Sequence, residues 1–254
     1  MDYKEILVNG IGSTTVINLN RPEKLNALNE SVLKRMEDAV SVIEKDGKCK
    51  AVIITGSGEK AFSAGVDISY LRGMRNEKDA SEFIGRVHAL FGRIENMEKP
   101  VIGAINGFCI GGGLELALVC DIRIAASSAT FGLPEGKLGI IPGGGATFRL
   151  PRTVGLAKAK EMIFTGESIG AEEALRIGLV NRVVSQDLMN EAISLASKIS
   201  ENSFNSVRMA KKAMNSTISS DYTAEKNSFI SAFANADKDE GLEAFLEHRK
   251  PRFA

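Results

Sequence analysis

The sequence predicts an α/β fold assembled from repeating ββα units and followed by a helical C-terminal region. Short apolar runs such as Ala51-Val52-Ile53-Ile54 and Val101-Ile102-Gly103-Ala104-Ile105 have the length and composition of strands buried on both faces. Strand-turn-strand-helix units recur at about 45 to 50 residues in the first two thirds of the chain, which fits a ββα repeat better than a Rossmann sheet. From Asp187 onward the apolar pattern is helical alone.

Taken in order, residues 3–9 and 14–19 read as two strands around the turn Asn9-Gly10-Ile11-Gly12. Arg21-Pro22-Glu23-Lys24 breaks the pattern. Asn29 or Ser31 caps a helix carrying Val32, Leu33, Met36, Val40 and Ile43 on one face, and Gly47 ends it. Residues 51–55 form a strand and 56–60 a loop. Residues 61–68 are irregular and rich in small side chains, and 69–97 form a polar, weakly patterned helical segment. The strand 101–105 leads into a Gly-rich turn and a buried helix. Residues 121–126 are a strand, and Phe131-Gly132-Leu133-Pro134-Glu135 a turn before a second cluster, Gly143-Gly144-Gly145. Residues 157–178 are helical with a break near Thr165-Gly166, and 179–184 form a last short strand. Leu188, Ile193, Leu195, Ala196 and Ile199 line one helix, and Val207, Met209, Ala210, Ala213 and Met214 the next. Phe229, Phe233, Leu242, Phe245 and Leu246 line the last two. Residues 1–190 are expected to form the core with the site, and 191–254 a helical region for subunit packing.

The 254 residues are 44% hydrophobic and 25% charged, as suits a large soluble domain. The 32 basic residues balance the 32 acidic ones, so no net field favours nucleic acid or a membrane surface. Cys49, Cys109 and Cys120 show no CxxC spacing and fit reduced thiols, and Asp2, Lys4 and Glu5 interrupt the pattern of a signal peptide. A cytoplasmic location is therefore expected. Residues 101–120 have the length of a membrane span, but Asn106, Glu115 and the glycines favour a strand, a turn and a buried helix.

The chain is organised around Gly107-Phe108-Cys109-Ile110-Gly111-Gly112-Gly113-Leu114-Glu115-Leu116-Ala117. A Gly-rich turn that opens a helix leaves backbone N–H groups unpaired at the positive end of the helix, where they can hold a phosphate, a carboxylate or a developing oxyanion. Alternatively the cluster is only a tight turn. Glu115, one turn inside among apolar residues, is paired, protonated or catalytic. Glu135 lies twenty residues later, before the second Gly cluster. Two carboxylates at one cleft can divide into an acid and a base, with amides at Gly112 and near Val66 as an oxyanion hole. The bland alternative for Glu135 is a solvent-exposed turn residue beside Lys137.

Other chemistries lack their residues. Gly56-Ser57-Gly58 lacks the third glycine of a dinucleotide fingerprint, and there is no P-loop, GxSxG elbow or clustered His/Cys set for a metal. The two histidines, His88 and His248, sit in helical, polar contexts.

The segment 61–68, the run 107–117, Cys120-Asp121-Ile122-Arg123-Ile124-Ala125, Phe131 to Glu135 and Gly139-Ile140-Ile141-Pro142-Gly143-Gly144 resemble the crotonase (enoyl-CoA hydratase/isomerase) family. Residues 21–28, Thr165-Gly166-Glu167 and Gly178-Leu179-Val180-Asn181 match its other landmarks, so the resemblance spans essentially the whole chain. It implies a spiral of ββα turns, shared with the ClpP proteases, and a homo-oligomer, a trimer or dimer of trimers. It implies that Val66 and Gly112 donate backbone N–H groups to a thioester oxygen. Lys24, Ala27, Ala64, Asp67 and Ile68 would line the CoA groove, and Lys250 would reach a neighbour's CoA. Both glutamates match the hydratase pattern. The implied activity is syn addition of water to a trans-2-enoyl-CoA, with Glu115 as base and Glu135 as acid. CoA arrives with the substrate, and no metal or other cofactor is expected. The alternatives are a Δ3-Δ2 enoyl-CoA isomerase, a hydratase for branched or aromatic acyl groups, and a non-catalytic acyl-CoA-binding or RNA-binding member. A ClpP-type protease lacks its Ser-His-Asp set. The pocket wall that selects the acyl group is expected between Tyr70 and Phe91.

Overall fold

A computed structural model describes residues 2–216, 226, 227, 229, 230, 233, 234 and 236–251. The chain begins with β1 (Asp2–Tyr3), β2 (Ile6–Ile11) and β3 (Thr14–Leu19), paired antiparallel in succession. The hairpin turn is Gly12-Ser13, not residues 9–12 as expected. Asn9 and Gly10 instead extend β2, where pairing with Val16 and Thr15 engages their backbone.

After a 3-10 turn (Pro22–Lys24), α1 (Glu30–Lys45) is capped by Asn29, whose Oδ1 accepts from the Val32 N–H at 2.9 Å. Its expected apolar face is buried, with Ala39 added. The helix ends at Asp46, in extended conformation, one residue before Gly47.

Three units then repeat the same path. The first comprises β4 (Ala51–Gly56), β5 (Ala61–Ser63), α2 (Ile68–Gly73) and α3 (Glu77–Asn96). The second comprises β6 (Val101–Ile105), β7 (Phe108–Ile110) and α4 (Gly112–Leu118). The third comprises β8 (Ile122–Ala126), β9 (Thr130–Gly132), a 3-10 turn (Pro134–Leu138), α5 (Ala146–Val154) and α6 (Leu156–Thr165). There follow β10 (Ile169–Gly170), α7 (Ala171–Arg176), β11 (Arg182–Val184), α8 (Leu188–Ser200), α9 (Phe204–Ser216) and α10 (Ala236–Leu246).

Among the described residues the strands form two sheets. The larger has the order β1-β2-β3-β4-β6-β8-β11, and the smaller β10-β9-β7-β5. Each unit thus contributes one strand to each sheet, and β4-β6-β8 and β5-β7-β9 are parallel rows. This is the expected α/β spiral of ββα turns. The expected even spacing is absent, since the large-sheet strands of the three units begin at Ala51, Val101 and Ile122. The unit length varies because its helices vary, from two in the first to the seven residues of α4 in the second.

Several local expectations change. Residues 61–63 are a strand rather than irregular. Met74, Arg75 and Asn76 break the segment 69–97 into α2 and α3, and Asn76 caps α3. β7 and β9 lie where turns were expected, and α5 follows the glycine cluster 143–145 where no element was expected.

The apolar strands are buried on both faces. Val52 and Ile54 of β4 join the main core, while Ala51 and Ile53 join Val16, Ile102, Ala104 and Ile124 in a second cluster closed by Ala192 and Ala196 of α8. Alternation along each strand sends successive side chains to these two layers. Much of the last expected helical pair lies outside the described residues, although Phe229 and Phe233 are described and buried. All three cysteines are free and buried, and burial pushes the Cys120 thiol up to about 12. No helix among the described residues is long and apolar enough to cross a membrane.

An ion pair between buried Lys211 and half-buried Asp121 fastens α9 to the large sheet. Lys211 Nζ donates to Asp121 Oδ2 at 2.7 Å and to the Lys99 carbonyl at 3.1 Å. Asp121 Oδ2 also accepts from the Val101 N–H at 2.7 Å. Burial raises the Asp121 carboxyl above its ordinary value, and Lys211 opposes that rise. Lys211→Met should destabilise the fold by about 3 kcal/mol at neutral pH by leaving a half-buried carboxylate without its cation. Without Lys211 the folded-state value rises further, so folding favours the protonated acid more strongly and the deficit shrinks as pH falls toward 3.8. Urea unfolding at pH 7 and pH 4.5 reads both effects. A deficit equal at the two values would remove the charge pair from the explanation.

Candidate active site

A cavity of about 500 Å³, walled mainly by apolar side chains, lies where the small sheet ends. Its parallel strands deliver three segments to one place. Beyond β5 comes Gly65-Val66, beyond β7 Gly111-Gly112, and beyond β9 Pro134-Glu135, and all six residues line the cavity. Ligand sites at the carboxyl ends of parallel strands are a general feature of such sheets, because the chain there leaves its ladder partners.

The first two segments are pressed together. Gly65 lies at φ +89°, and a Cβ on it would sit 2.7 Å from the Ile110 carbonyl and 3.0 Å from the Gly112 nitrogen. Only glycine allows this approach. On the other side, residues 25–28 zip to 64–67. Ala64 N–H donates to Leu25 O, Leu28 N–H to Gly65 O, and Asp67 N–H to Leu28 O, at 2.7–2.9 Å. In this parallel bridge the bonds of Leu28 go to the neighbours of Val66, so the Val66 N–H points away from Leu28. The site of a Cβ on Gly112 lies 3.5 Å from that nitrogen. Gly112 opens α4, where its own N–H has no intrahelical partner. Two backbone donors therefore stand side by side on the cavity wall.

The zipper also brings the residues expected along a groove to one cavity. Lys24, Ala27, Ala64, Asp67 and Ile68 all line the cavity, with Lys24 exposed at its rim. The Asp67 carboxylate caps α2 through Ser69 N–H and accepts from Arg21 Nη2 at 3.1 Å. Arg21 and Asn26 were missed by sequence reasoning. Asn26, buried at φ +56°, bonds the Ser57 and Ala61 carbonyls and the Arg21 N–H. It fixes the turn that presents Lys24 and Ala27.

Glu115 is 4% exposed. Its Oε1 accepts from the N–H groups of Gly144 at 2.7 Å and Ala146 at 3.1 Å, so the second Gly cluster seats this carboxylate. Glu135 is 9% exposed and is not the solvent-facing turn residue of the bland alternative. Its Oε1 lies 3.0 Å from where a Cβ on Gly111 would be, and Gly111 is held at φ +54°. Lys137 turns away to the Gly166 carbonyl at 2.8 Å. Both carboxylates thus enter the same cavity, in surroundings that differ.

The far wall is Leu71, Phe83, Ile84, Val87, Phe91 and Phe229. Five of these six lie in the stretch expected to form it. Tyr70 is not among them, since it packs edge-on to Phe83. Lys250 does not line this chain's cavity. His88 corrects an expectation, because it is buried on the inner side of α3, with Nε2 2.6 Å from the Gly143 carbonyl. Arg149 Nη1 donates to the Gly144 carbonyl at 3.0 Å while its Nε and Nη2 grip both oxygens of Glu95. No sequence motif marks these two clamps, and only their spacing against the second Gly cluster in space reveals them. Among the described residues no group of His, Cys, Asp and Glu could hold a metal ion.

A family model described as enoyl-CoA hydratase/isomerase matches residues 10–254. A short-chain-enoyl-CoA hydratase of Clostridium acetobutylicum is 45% identical over 98% of this chain and 97% of its own length. A crotonyl-CoA hydratase of Syntrophomonas wolfei is 44% identical over 100% of this chain and 99% of its own. The crystal structure of an enoyl-CoA hydratase from Bacillus anthracis superposes with a TM-score of 0.82 at 40% identity, covering 98% of each chain. With the spiral of ββα units and two carboxylates at the end of its smaller sheet, the match over nearly the whole length has one meaning: the chain belongs to the enoyl-CoA hydratase/isomerase family.

Proposed function

We propose that the protein hydrates short trans-2-enoyl-CoA thioesters reversibly, giving 3-hydroxyacyl-CoA. The observation that carries this is the pair of buried carboxylates in one apolar cavity beside two adjacent backbone N–H donors. Relatives named for short-chain enoyl-CoA and crotonyl-CoA hydration support the acyl class.

The thioester oxygen accepts from the N–H groups of Val66 and Gly112. Both donors strengthen as negative charge gathers there in the enolate, and losing one donor of this kind typically costs about 10²–10³ in kcat. Water lies between the glutamates. Glu115 takes one proton as the oxygen bonds to Cβ. Glu135 gives a proton to Cα on the same face. The proton left on Glu115 then passes to Glu135 and resets the pair, so water and the two carboxyls account for every proton, the cycle uses no cofactor, and CoA enters with the substrate. Lys24, Ala27, Ala64, Asp67 and Ile68 hold CoA at the rim, largely through backbone groups. The far wall of Phe83, Ile84 and Phe91 takes the acyl chain.

The chain also works as a homo-oligomer, a trimer or dimer of trimers. Support comes from Leu156 and Phe164 of α6, which are 58% and 78% exposed and would be buried between copies. Sedimentation equilibrium should give three or six copies, and a monomer at micromolar concentration would refute this.

Purified protein should remove the conjugated enoyl absorbance of crotonyl-CoA and yield 3-hydroxybutyryl-CoA. Glu115→Gln and Glu135→Gln should each lower kcat by about 10²–10⁴ while acyl-CoA still binds. Either variant retaining a tenth of wild-type turnover removes that residue from the mechanism. Conversion of a 3-enoyl-CoA with no hydration would make the protein an isomerase, and acyl-CoA binding with neither reaction would make it a binding member.

A further inference from the structure

We infer that His88 is a positioning residue for Glu115, acting through the single peptide group that joins Gly143 to Gly144. The inference rests on Glu115 being the proton acceptor proposed above. His88 Nε2 lies 2.6 Å from the Gly143 carbonyl oxygen. A carbonyl only accepts, so Nε2 carries the hydrogen and donates. The other end of the same peptide is the Gly144 N–H, which donates to Glu115 Oε1 at 2.7 Å. One planar unit therefore links the imidazole to the carboxylate. Hydrogen bonds in such a chain polarise one another, so donation to the carbonyl makes the N–H a stronger donor. It also fixes the direction in which that N–H points, because the peptide is rigid.

The other clamp does different work. Arg149 holds the Gly144 carbonyl, which belongs to the next peptide, and so sets where the loop lies. Of these two clamps, His88 is the one that acts on the peptide whose N–H reaches Glu115 at 2.7 Å. The ionisable groups around this pair are Glu135 across the cavity, Arg149 with Glu95 behind the loop, and Lys24 and Asp67 at the rim. His88 does not touch substrate in this arrangement. Its effect is to keep Glu115 charged and aimed.

The test compares His88→Leu, His88→Phe and His88→Gln in the full-length protein with crotonyl-CoA. Gln can bring its Nε2 donor to the same carbonyl, whereas Leu and Phe cannot. His88→Leu and His88→Phe should lower kcat about tenfold with KM unchanged, as loss of one hydrogen bond in the transition state requires. Both should move the acidic limb of the kcat–pH profile upward, because Glu115 then protonates more readily. His88→Gln should recover most of the rate and the wild-type limb. Adding His88→Leu to Glu115→Gln should change the residual rate little, since the peptide then has no carboxylate to orient. A purely structural role would lower thermal stability without moving the limb and would leave Gln no better than Leu, and that result would overturn the inference. If neither apolar variant folds, His88→Gln alone decides, and a shifted limb or a tenfold loss there goes against the claim. If the wild-type protein does not hydrate crotonyl-CoA, the proposed function fails separately. The His88 claim is then read from ¹³C NMR titration of labelled glutamate, with Glu115→Gln assigning the signal. An unchanged Glu115 midpoint in His88→Leu would refute it.

Discussion

The Glu115 carboxylate is held by the N–H groups of Gly144 and Ala146, and this contact joins all three ββα units. Glu115 comes from the helix of the second unit. The loop that seats it follows the small-sheet strand of the third. The groups that clamp the loop from behind, His88 and Glu95 with Arg149, bring in the long helix of the first. A buried carboxylate must find donors, and two backbone N–H groups supply them without a neutralising proton. The glycines of the loop are small enough to bring their nitrogens to the carboxylate, since a Cβ on Gly144 would stand 2.6 Å from its Oε2.

The rest of the site is a consequence of having two sheets. The central strands β4 and β6 of the larger sheet are buried on both faces and supply the rigid body of the fold. The smaller sheet consists of strands two or three residues long, too short to stand alone. Its parallel register nevertheless brings Val66, Gly112 and Glu135 to one edge, each just past the end of its strand. The segment from Leu25 to Leu28 adds the rim by zipping onto the stretch beyond the first of those strands. Groups more than twenty residues apart in the chain are thereby set within a few ångströms by backbone pairing, before any side chain is considered.

The two glutamates have different surroundings despite sharing a cavity. Glu115 lies in the first turn of α4 with two backbone donors on one oxygen. Glu135 sits in a short 3-10 turn with its carboxyl laid over Gly111 and almost no exposure to water. Unlike surroundings are what separate an acid from a base when both are carboxyls. The cavity beyond them is apolar and walled by aromatic and branched side chains of α2 and α3.

Much of this was legible in the residues themselves. Long apolar strands, the capped amphipathic helix after Asn29 and the Gly-rich entry to α4 announce themselves by period and composition, because local sequence dictates them. The candidate residues Lys24, Ala27, Ala64, Val66, Asp67, Ile68, Gly112, Glu115 and Glu135 do line one cavity. The small sheet was not legible as strands, since runs of two or three residues carry no periodicity and form only when a neighbouring unit offers its edge. For the same reason the turn of the first hairpin, the break between α2 and α3, and the burial of His88 escaped. Each is settled by what packs against it. The sequence by itself determined which segments could be strand or helix and which residue types were available for chemistry. The tertiary structure alone decided that Gly144 and Ala146 would seat Glu115, that Glu135 would be buried rather than solvated, and that His88 would reach the peptide joining Gly143 to Gly144. Those outcomes depend on contacts between units far apart in the chain, which no local pattern encodes.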